Sequence, residues 1–337
     1  MSSDNMTEKI LLTGAFGIVG QGVLNELLKK QYDIRVFEIK NKRNKSIAEK
    51  YKKNIEIMWG DIRNYEDIKK AVKGQDVIIH VAAVIPPLAD EQPEFAREVN
   101  VEGTKNIIRA MESEPKKLKL IYTSSIAIYG DRRLNPYIQV TDPPNPGNDE
   151  YAKQKLECEH LIKASNLQCV IFRLTYIVSM DKLEMDPLMY HMPLETCIEI
   201  CHADDVGLAL ANAVGNENIW GKILHIAGGP KCRIIYGDYI HKMLDMFGLG
   251  GDLLPKDAFS DKPFHCGFMD TKESQKELQY QRYTLEDYFK DVKEKVKVSR
   301  FFIKMFQFIV RPIAKKYLTD KSPFYKNDGE EHVEALL

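Results

Sequence analysis

Three side chains of the 337-residue chain have the types and spacing needed to move a proton on a substrate oxygen: Ser125, Tyr151 and Lys155. Tyr151 and Lys155 are four residues apart in a helical pattern that opens at Asp149, so both lie on one helix face. A phenol has a pKa of about 10 and is a poor base at neutral pH, but a nearby ammonium lowers that pKa. We therefore predict that Tyr151 is the general acid/base, that Lys155 tunes it and clamps a ribose, and that Ser125 orients the substrate.

A glycine-rich turn near the start of the chain predicts a dinucleotide site. Residues 9–12 fit a short buried strand, and helical periodicity begins at Ile18. Gly14 suits a tight turn, Gly17 lets a pyrophosphate approach the backbone, and Gly20 lets the helix pack close to the strand. The first N–H groups of a helix are unpaired and carry partial positive charge, so such a turn binds anions.

The acidic residue after the second predicted strand bears on the choice of dinucleotide. Glu38 ends the strand 33–38, about where a dinucleotide-binding unit places the carboxylate that accepts the ribose hydroxyls. A carboxylate repels a 2′-phosphate, so we predict NAD. The basic residues that follow could hold such a phosphate, which leaves NADP open, although we interpret them as a solvated loop. They are Lys40, Lys42, Arg43 and Lys45.

The remaining pattern alternates strands with helices. Further strands are predicted near 55–58, 76–83, 118–122, 168–174 and 222–227, and helices near 64–73 and 93–111. This alternation predicts an α/β fold with a doubly wound parallel sheet. Ligands bind such sheets at the carboxyl ends of the strands. Residues at that edge include Gly14, Glu38, Asp61 and Ala82.

Composition narrows the class of protein. The chain is 44% hydrophobic and 29% charged, with a formal net charge of −1, which is typical of a soluble globular protein and not of a general nucleic-acid binder. No secretory signal is evident, and the six scattered cysteines fit reduced thiols, so we expect a cytoplasmic protein. Cys197, Cys201 and His202 are close in sequence, but no fourth ligand accompanies them, and we predict no metal site.

Together these segments resemble the extended short-chain dehydrogenases/reductases, the NAD-dependent epimerase/dehydratase superfamily, over residues 9 to about 290. The motifs that carry the resemblance are Thr13-Gly14-x-x-Gly17-x-x-Gly20, Gly60-Asp61-Ile62, His80-Val81-Ala82-Ala83, Asn100-Val101-x-Gly103-Thr104, Ser124-Ser125 ahead of Tyr129-Gly130, Tyr151-x-x-x-Lys155, Arg173, and His202-Ala203-Asp204-Asp205-Val206.

The resemblance implies a Rossmann-type dinucleotide-binding domain over 1–175, completed by about 202–228. It also implies a small discontinuous substrate-binding domain over 176–201 and 229–283, with a helical C-terminal extension over 284–337 whose end is disordered. It implies a small-molecule substrate and a homodimer formed through the helices that contain Asn100 and Tyr151. The implied NAD-binding residues are Gly14, Phe16, Gly17, Ile18, Val19, Gly20, Glu38, Asp61, Ile62, Val81, Ala82, Ala83, Asn100, Thr123, Tyr151 and Lys155. We interpret His202 to Asp205 as a helix cap.

Two departures from the family pattern concern the substrate. Enzymes of this family that act on nucleotide sugars usually carry an arginine ahead of the histidine–aspartate motif, whereas residues 194–199 hold two acids and no arginine. Arg233 and Lys231 could replace that arginine. An acidic pair typically follows the serine in the dehydratases, but Ile126-Ala127 stands there, which weakens the case for dehydration.

The segment from 284 to about 318 predicts one long helix or two, with Pro312 breaking or kinking it. Aromatic and aliphatic residues share one face and basic residues another. We favour packing on the protein itself or on a dimer mate, with peripheral membrane contact as the alternative. The apolar residues are Phe302, Met305, Phe306, Ile309, Ile313 and Tyr317, and the basic ones are Arg300, Lys304, Arg311 and Lys315.

Three functions stay open at this point. The first is an NAD-dependent epimerase or dehydratase of a sugar or nucleotide sugar. The second is an NAD(P)-dependent dehydrogenase or reductase of a less charged alcohol or ketone, of lipid type, which the missing arginine and the amphipathic tail favour. The third is a non-catalytic dinucleotide sensor, against which the intact Ser125, Tyr151 and Lys155 argue.

Overall fold

The computed structural model describes residues 8–181, 183 and 185–325. These contain twelve strands, seven of which form one parallel sheet. The strands are β1 (Lys9–Thr13), β2 (Asp33–Glu38), β3 (Glu56–Trp59), β4 (Val77–His80), β5 (Lys119–Ser125), β6 (Tyr137–Ile138), β7 (Gln168–Leu174), β8 (Tyr176–Val178), β9 (Cys197–His202), β10 (Ile223–Ile226), β11 (Arg233–Ile235) and β12 (Phe268–Met269).

Thirteen α-helices accompany the strands in this part of the chain. They are α1 (Ile18–Lys29), α2 (Lys42–Tyr51), α3 (Tyr65–Val72), α4 (Leu88–Glu91), α5 (Pro93–Arg97), α6 (Gly103–Glu112), α7 (Glu150–Ala164), α8 (Ala203–Val214), α9 (Tyr236–Phe247), α10 (Lys272–Leu278), α11 (Leu285–Lys295), α12 (Lys297–Met305) and α13 (Gln307–Thr319).

The main sheet has the strand order β10-β7-β5-β4-β1-β2-β3, with every neighbouring pair parallel. Because α1 and α8 pack on one face and α3 and α6 on the other, the central strands are buried on both sides, and their middle residues are mainly apolar. The strand order reverses between β1 and β4, which opens a crevice at the carboxyl edge. The predicted doubly wound parallel sheet is confirmed.

One segment that we interpreted as a loop is helical. The basic stretch interpreted as a solvated loop forms the start of α2, whose N-cap Asn41 accepts a hydrogen bond from the backbone N–H of Asn44. Ala48 is buried, and Ile47 and Tyr51 pack against the core below it. This narrow apolar face is hidden in the sequence by the lysines around it, so the segment resembles a loop.

The predicted helix 93–111 is divided. Between α5 and α6, residues Glu98–Glu102 form one turn of π-helix, a feature that is frequent at functional sites. Asn100 lies in this turn and is buried. Its side chain accepts from the N–H of Val84 at 2.8 Å and donates to the carbonyl of Val84 at 2.9 Å, so it holds the loop that follows β4.

The segments 176–201 and 229–283 carry the smaller sheet β11-β9-β8 and α9. Their core includes Tyr190, Tyr236 and Tyr239, and it extends to α11. Their assignment to a separate substrate-binding domain stays a prediction.

The C-terminal region forms three helices where one or two were predicted. Pro312 lies inside α13 and does not end it, and the breaks fall at Val296 and Phe306 instead. The Ser322 hydroxyl donates to the carbonyl of Ala258 at 2.6 Å. The disorder predicted at the two chain ends concerns mainly 1–7 and 326–337, which lie outside the described residues.

We expect Gly207→Ala to destabilise the fold, because α8 crosses α1 with almost no space between the two backbones. A Cβ at position 207 would lie 2.3 Å from the carbonyl carbon of Gly22. Overpacking of this kind costs about 1–3 kcal/mol or more. Gly215→Ala is the matched control, since its added Cβ would meet only the Tyr32 hydroxyl, at 3.8 Å. Urea unfolding measures both, and equal free energies of unfolding for the two variants would contradict the packing account.

Candidate functional site

A cavity of about 1050 Å³ opens at the carboxyl edge of the main sheet. Fourteen of the sixteen predicted cofactor residues line it, and so does Ser125. The two that do not are Phe16, whose ring packs on Tyr51 and Trp59, and Asn100, which holds the loop after β4. The lining members are Gly14, Gly17, Ile18, Val19, Gly20, Glu38, Asp61, Ile62, Val81, Ala82, Ala83, Thr123, Tyr151 and Lys155.

The glycine turn brings β1, α1 and β4 into backbone contact. Gly14 has φ of +73°, and a Cβ there would lie 2.6 Å from the backbone nitrogen of Ala82. A Cβ on Gly20 would lie 1.9 Å from the carbonyl oxygen of Gly14. Gly17 differs, since a Cβ there would meet only that same oxygen, at 3.4 Å. It is the N-cap of α1 and supplies no side-chain cap, and the first turn of α1 holds no acid.

Glu38 lies beside this turn at the end of β2. One carboxylate oxygen accepts from the N–H of Phe16 at 2.8 Å, and the other accepts from the side-chain amide of Asn44 at 3.2 Å. Burial raises the pKa of Glu38, and these contacts oppose the rise only in part. Arg43, from the first turn of α2, also lines the cavity. A cation therefore lies next to the predicted ribose site, in the segment that we interpreted as a solvated loop while leaving NADP open.

Asp61 is already engaged by a neighbouring arginine. The Arg63 guanidinium donates to both of its carboxylate oxygens, at 2.6 and 3.1 Å, and also to Glu98 at 2.9 Å. The hydrogen bonds from Arg63 lower the pKa of Asp61. Both Asp61 and Arg63 line the end of the cavity where the resemblance implies the adenine.

Ser125, Tyr151 and Lys155 meet near the middle of the cavity. The Ser125 hydroxyl accepts from the N–H of Ala127 at 3.1 Å and is hydrogen-bonded to the Tyr151 side chain. The Lys155 ammonium donates to the carbonyl of Thr123 at 2.8 Å and lies 5.9 Å from the centre of the Tyr151 ring. All three are therefore positioned by β5 and α7.

Burial dominates the electrostatics of this group. It raises the pKa of the Tyr151 phenol, against a smaller lowering from the hydrogen bond to Ser125. It lowers the pKa of Lys155 to about 8. The lowering of the tyrosine pKa that we predicted from Lys155 is not found, because both groups lie in a dry environment that disfavours their charged forms.

A histidine that the sequence analysis missed contacts the start of α7. Asp149 caps α7 by accepting from the N–H of Ala152 at 2.8 Å, and its other oxygen lies 2.8 Å from Nδ1 of His265. His265 lines the cavity. It is distant in sequence from every motif, so only the fold could reveal the pair.

The far end of the cavity is apolar. The described residues that line it from segments 176–192, 239–249, 264–266, 288 and 318 include no lysine or arginine. The apolar side chains there include Val178, Leu183, Met185, Leu188, Met189, Met192, Ile240, Met243, Leu244, Phe247, Leu249, Phe264 and Leu318. Nearer the middle, the Ser124 hydroxyl is buried with no protein hydrogen-bond partner among the described residues, so a ligand could pair with it.

Arg233 and Lys231, which we considered as replacements for the missing arginine, do not line this cavity. The Arg233 guanidinium donates to the buried Glu199 at 2.9 Å, and Glu199 also accepts from the backbone N–H groups of Gly229 and Met269. Arg233 therefore forms a structural ion pair with Glu199.

The histidine–aspartate motif caps α8, as we interpreted it. His202 accepts from the N–H of Asp204 at 3.2 Å, and Asp205 accepts from the N–H groups of Arg282 and Tyr283. Among the residues that the structure describes, no group of three or more His, Cys, Asp or Glu side chains is placed to hold a metal ion.

Comparisons with known proteins give one family model and several relatives. The model of the 3-beta hydroxysteroid dehydrogenase/isomerase family matches residues 11–171. An N-acetyl-alpha-D-glucosaminyl-diphospho-ditrans,octacis-undecaprenol 4-epimerase of Escherichia coli O157:H7 is 33% identical over 159 residues, 47% of this chain and 44% of the relative. A 3-beta-hydroxysteroid dehydrogenase of Mycolicibacterium neoaurum is 30% identical over 171 residues, 47% of this chain and 43% of the relative. The match thus spans less than half of either relative.

Solved structures match over a greater length. A dTDP-glucose 4,6-dehydratase from Streptomyces venezuelae, with NAD and TYD bound, superposes with a TM-score of 0.74 at 20% identity, over 87% of this chain and 98% of that one. A UDP-glucuronic acid 4-epimerase from Bacillus cereus, in complex with UDP-glucuronic acid and NAD, gives 0.68 at 21% identity, over 86% and 99%. At such identities the likeness concerns the fold.

The sequence motifs converge on one crevice of this fold, and the family model covers the residues that line its predicted dinucleotide end. Over residues 11–171 the chain is thus similar to the 3-beta hydroxysteroid dehydrogenase/isomerase family, and its motifs resemble those of the extended short-chain dehydrogenases/reductases.

Proposed function

We propose that this chain is an NAD-dependent dehydrogenase or reductase that acts on the hydroxyl or carbonyl group of an apolar alcohol or ketone. The observation that carries the proposal is the apolar end of the cavity, whose described lining holds no lysine or arginine. A nucleotide diphosphate would find no counter-charge there, whereas an apolar molecule would bury its surface.

The residues present fit a dinucleotide. The uncapped start of α1 faces a glycine turn with space for a pyrophosphate, and Glu38 offers carboxylate oxygens to a ribose. Val81 to Ala83 and Ile62 line the same end of the cavity, as an adenine site requires. When bound, NAD would supply the hydride chemistry at C4 of its nicotinamide ring.

The protein's own part in the reaction is proton transfer and positioning. At neutral pH the Tyr151 phenol is protonated, because burial raises its pKa, so it is ready to donate a proton to a carbonyl oxygen. Ser125 shares a hydrogen bond with Tyr151 and would hold that same oxygen. Lys155, whose ammonium donates to the carbonyl of Thr123, would bind a ribose and balance negative charge that develops near it. The opposite direction uses the same groups with the proton moving to Tyr151.

The second candidate is an epimerase or dehydratase of a sugar or nucleotide sugar. It is supported by the functions of the Escherichia coli relative and of the two proteins of similar fold. Two observations count against it. The segment before the histidine–aspartate motif is acidic, and Arg233 is paired with Glu199. A homodimer through the helices that contain Asn100 and Tyr151 also stays part of the proposal.

The substrate assay separates the candidates by net turnover. We expect the full chain to accumulate NADH, followed at 340 nm, with NAD and an apolar secondary alcohol, and not with UDP-glucose or UDP-glucuronic acid. Met243→Glu, which adds a carboxylate to the apolar wall, should lower kcat/KM at least tenfold. Leu134→Glu adds the same charge at a fully exposed position and should change nothing. Conversion of a UDP-sugar to an isomer without NADH accumulation would favour the epimerase, and NADH binding without turnover of any substrate would favour the sensor.

Tyr151→Phe removes only the proposed acid/base hydroxyl. We expect kcat to fall about 10²- to 10⁴-fold, as is typical for loss of a general acid/base, while NADH binds with an unchanged Kd. Tyr137→Phe, at an exposed tyrosine, is the matched control. A Tyr151→Phe protein with wild-type kcat would exclude Tyr151 from proton transfer.

Cofactor affinity should depend on the protonation of Glu38. Because burial raises its pKa, Glu38 takes up a proton at a higher pH than an exposed glutamate would, and it then loses an acceptor for the ribose hydroxyls. We expect the Kd for NADH, from fluorescence titration, to rise as the pH falls from 8 to 5 in the wild type but to stay flat in Glu38→Gln. Arg43→Ala should weaken NADPH more than NADH. A pH-independent Kd in the wild type would contradict the assignment of Glu38.

A further inference from the structure

The C-terminal helices expose a continuous apolar face. On their inner side Ile303, Val310, Ala314 and Leu318 are partly buried against the rest of the protein. On the outer side nine large apolar side chains are exposed, including Val298 at 70% and Phe308 at 77%, out of sixteen among all the described residues. An apolar face of this size generally marks an interaction site. We call these nine residues the outer face: Val298, Phe301, Phe302, Met305, Phe306, Phe308, Ile309, Ile313 and Tyr317.

The charge around the outer face has one sign. Residues 297–319 contain six basic residues and no acidic one. Lys297, Lys304 and Lys315 are exposed on the two helices that carry the outer face, and Lys297 pairs with Glu294 at 3.1 Å. Lys304 and Lys315 have no carboxylate partner among the described residues, whereas Arg311 pairs with Asp252 at 2.8 Å.

We propose that the outer face docks on the surface of an anionic lipid bilayer. Helices with an aromatic and aliphatic face edged by lysines lie in the membrane interface, where the apolar side chains enter the acyl boundary and the lysines contact anionic headgroups. Within the described part of the chain, no helix is both long and apolar enough to cross a bilayer, so the helices would lie along its surface.

The same charge pattern argues against binding of a second copy of this chain to the outer face. A twofold interface brings the same patch of both subunits together. Two such faces would therefore place two sets of basic residues next to each other, since residues 297–319 of neither copy include an acidic residue. An anionic bilayer supplies the opposite charge instead.

One of the helices that carry the outer face contributes to the cavity wall through its inner side. Leu318, on the inner side of α13, lines the cavity, and its carbonyl accepts from the Tyr190 hydroxyl at 2.6 Å. α12 packs on α9, which carries the apolar wall residues Met243 and Phe247. Docking would therefore bring the apolar end of the cavity close to the membrane, so that an apolar substrate could enter from the lipid. This last step rests on the proposed function, whereas docking itself does not.

Vesicle co-sedimentation of the full chain tests the docking. We expect binding to phosphatidylcholine vesicles that contain 30% phosphatidylserine, on the order of one anionic lipid in three, weakened by added salt, and little binding to pure phosphatidylcholine. Phe301→Ser combined with Phe308→Ser should reduce binding to the anionic vesicles at least tenfold, and so should Lys304→Glu combined with Lys315→Glu. Leu134→Ser and Lys276→Glu, exposed positions elsewhere, are the matched controls. Circular dichroism melts verify that each variant folds.

Two results would overturn the proposal. One is that the folded wild type fails to sediment with the anionic vesicles. The other is that the phenylalanine variant binds vesicles like the wild type but changes from dimer to monomer in analytical ultracentrifugation, which would assign the outer face to a second copy. The assay involves no turnover. Its failure therefore leaves the proposed dehydrogenase standing, and failure of the substrate assay leaves the docking standing.

Discussion

The close approach of backbones at the β1–α1 turn is the constraint on which the site depends. Because Gly14 and Gly20 have no Cβ, β1, α1 and the residues after β4 come into direct contact. That contact places Val81 to Ala83 beside the helix start and brings the N–H of Phe16 within 2.8 Å of Glu38. The uncapped start of α1, the Glu38 carboxylate and the small residues after β4 thus line one crevice. A side chain at Gly14 or Gly20 would separate them.

Burial is the second physical factor, and it acts on both members of the Tyr151 and Lys155 pair. It raises the pKa of the phenol and lowers that of the ammonium to about 8, so it disfavours the charged form of each group. The supports of this pair are backbone groups and buried polar side chains. The carbonyl of Thr123 fixes Lys155, and Asp149 with His265 fixes the start of α7. β5 and α7 therefore position these side chains, while the far end of the cavity is formed by apolar side chains from α9 and other segments.

The sequence predicted the parts of the fold that have strong local patterns. Buried strands such as β1 and β7, the glycine turn and the Tyr151–Lys155 helix follow from periodicity and special residues, and they lie where we expected. It missed α2, because Asn41 and a narrow apolar face are the only signals of a helix among many lysines. It also missed the π-helical turn at Asn100, which changes hydrogen bonding without changing the hydrophobic pattern.

Features that depend on contacts between residues far apart in the chain could not be predicted from the sequence. Whether Arg233 is free or paired depends on Glu199, 34 positions earlier, and the His265–Asp149 contact joins segments more than 100 positions apart. The shift of the Tyr151 pKa was assigned the wrong direction, because a neighbouring ammonium is visible in a sequence whereas burial is not. The apolar wall from α9 likewise shows only as an ordinary amphipathic helix until the fold aligns it with the cavity.

Hydrogen–deuterium exchange of the full chain, measured by mass spectrometry with each ligand in turn, tests the central claim that one cavity has a dinucleotide end and an apolar end. NADH alone should protect residues 13–20 and 81–84 and leave 239–249 unchanged. Addition of an apolar ketone should then protect 239–249. Protection of 239–249 by a UDP-sugar, with none from any apolar ketone, would contradict the account and point to a nucleotide-sugar enzyme.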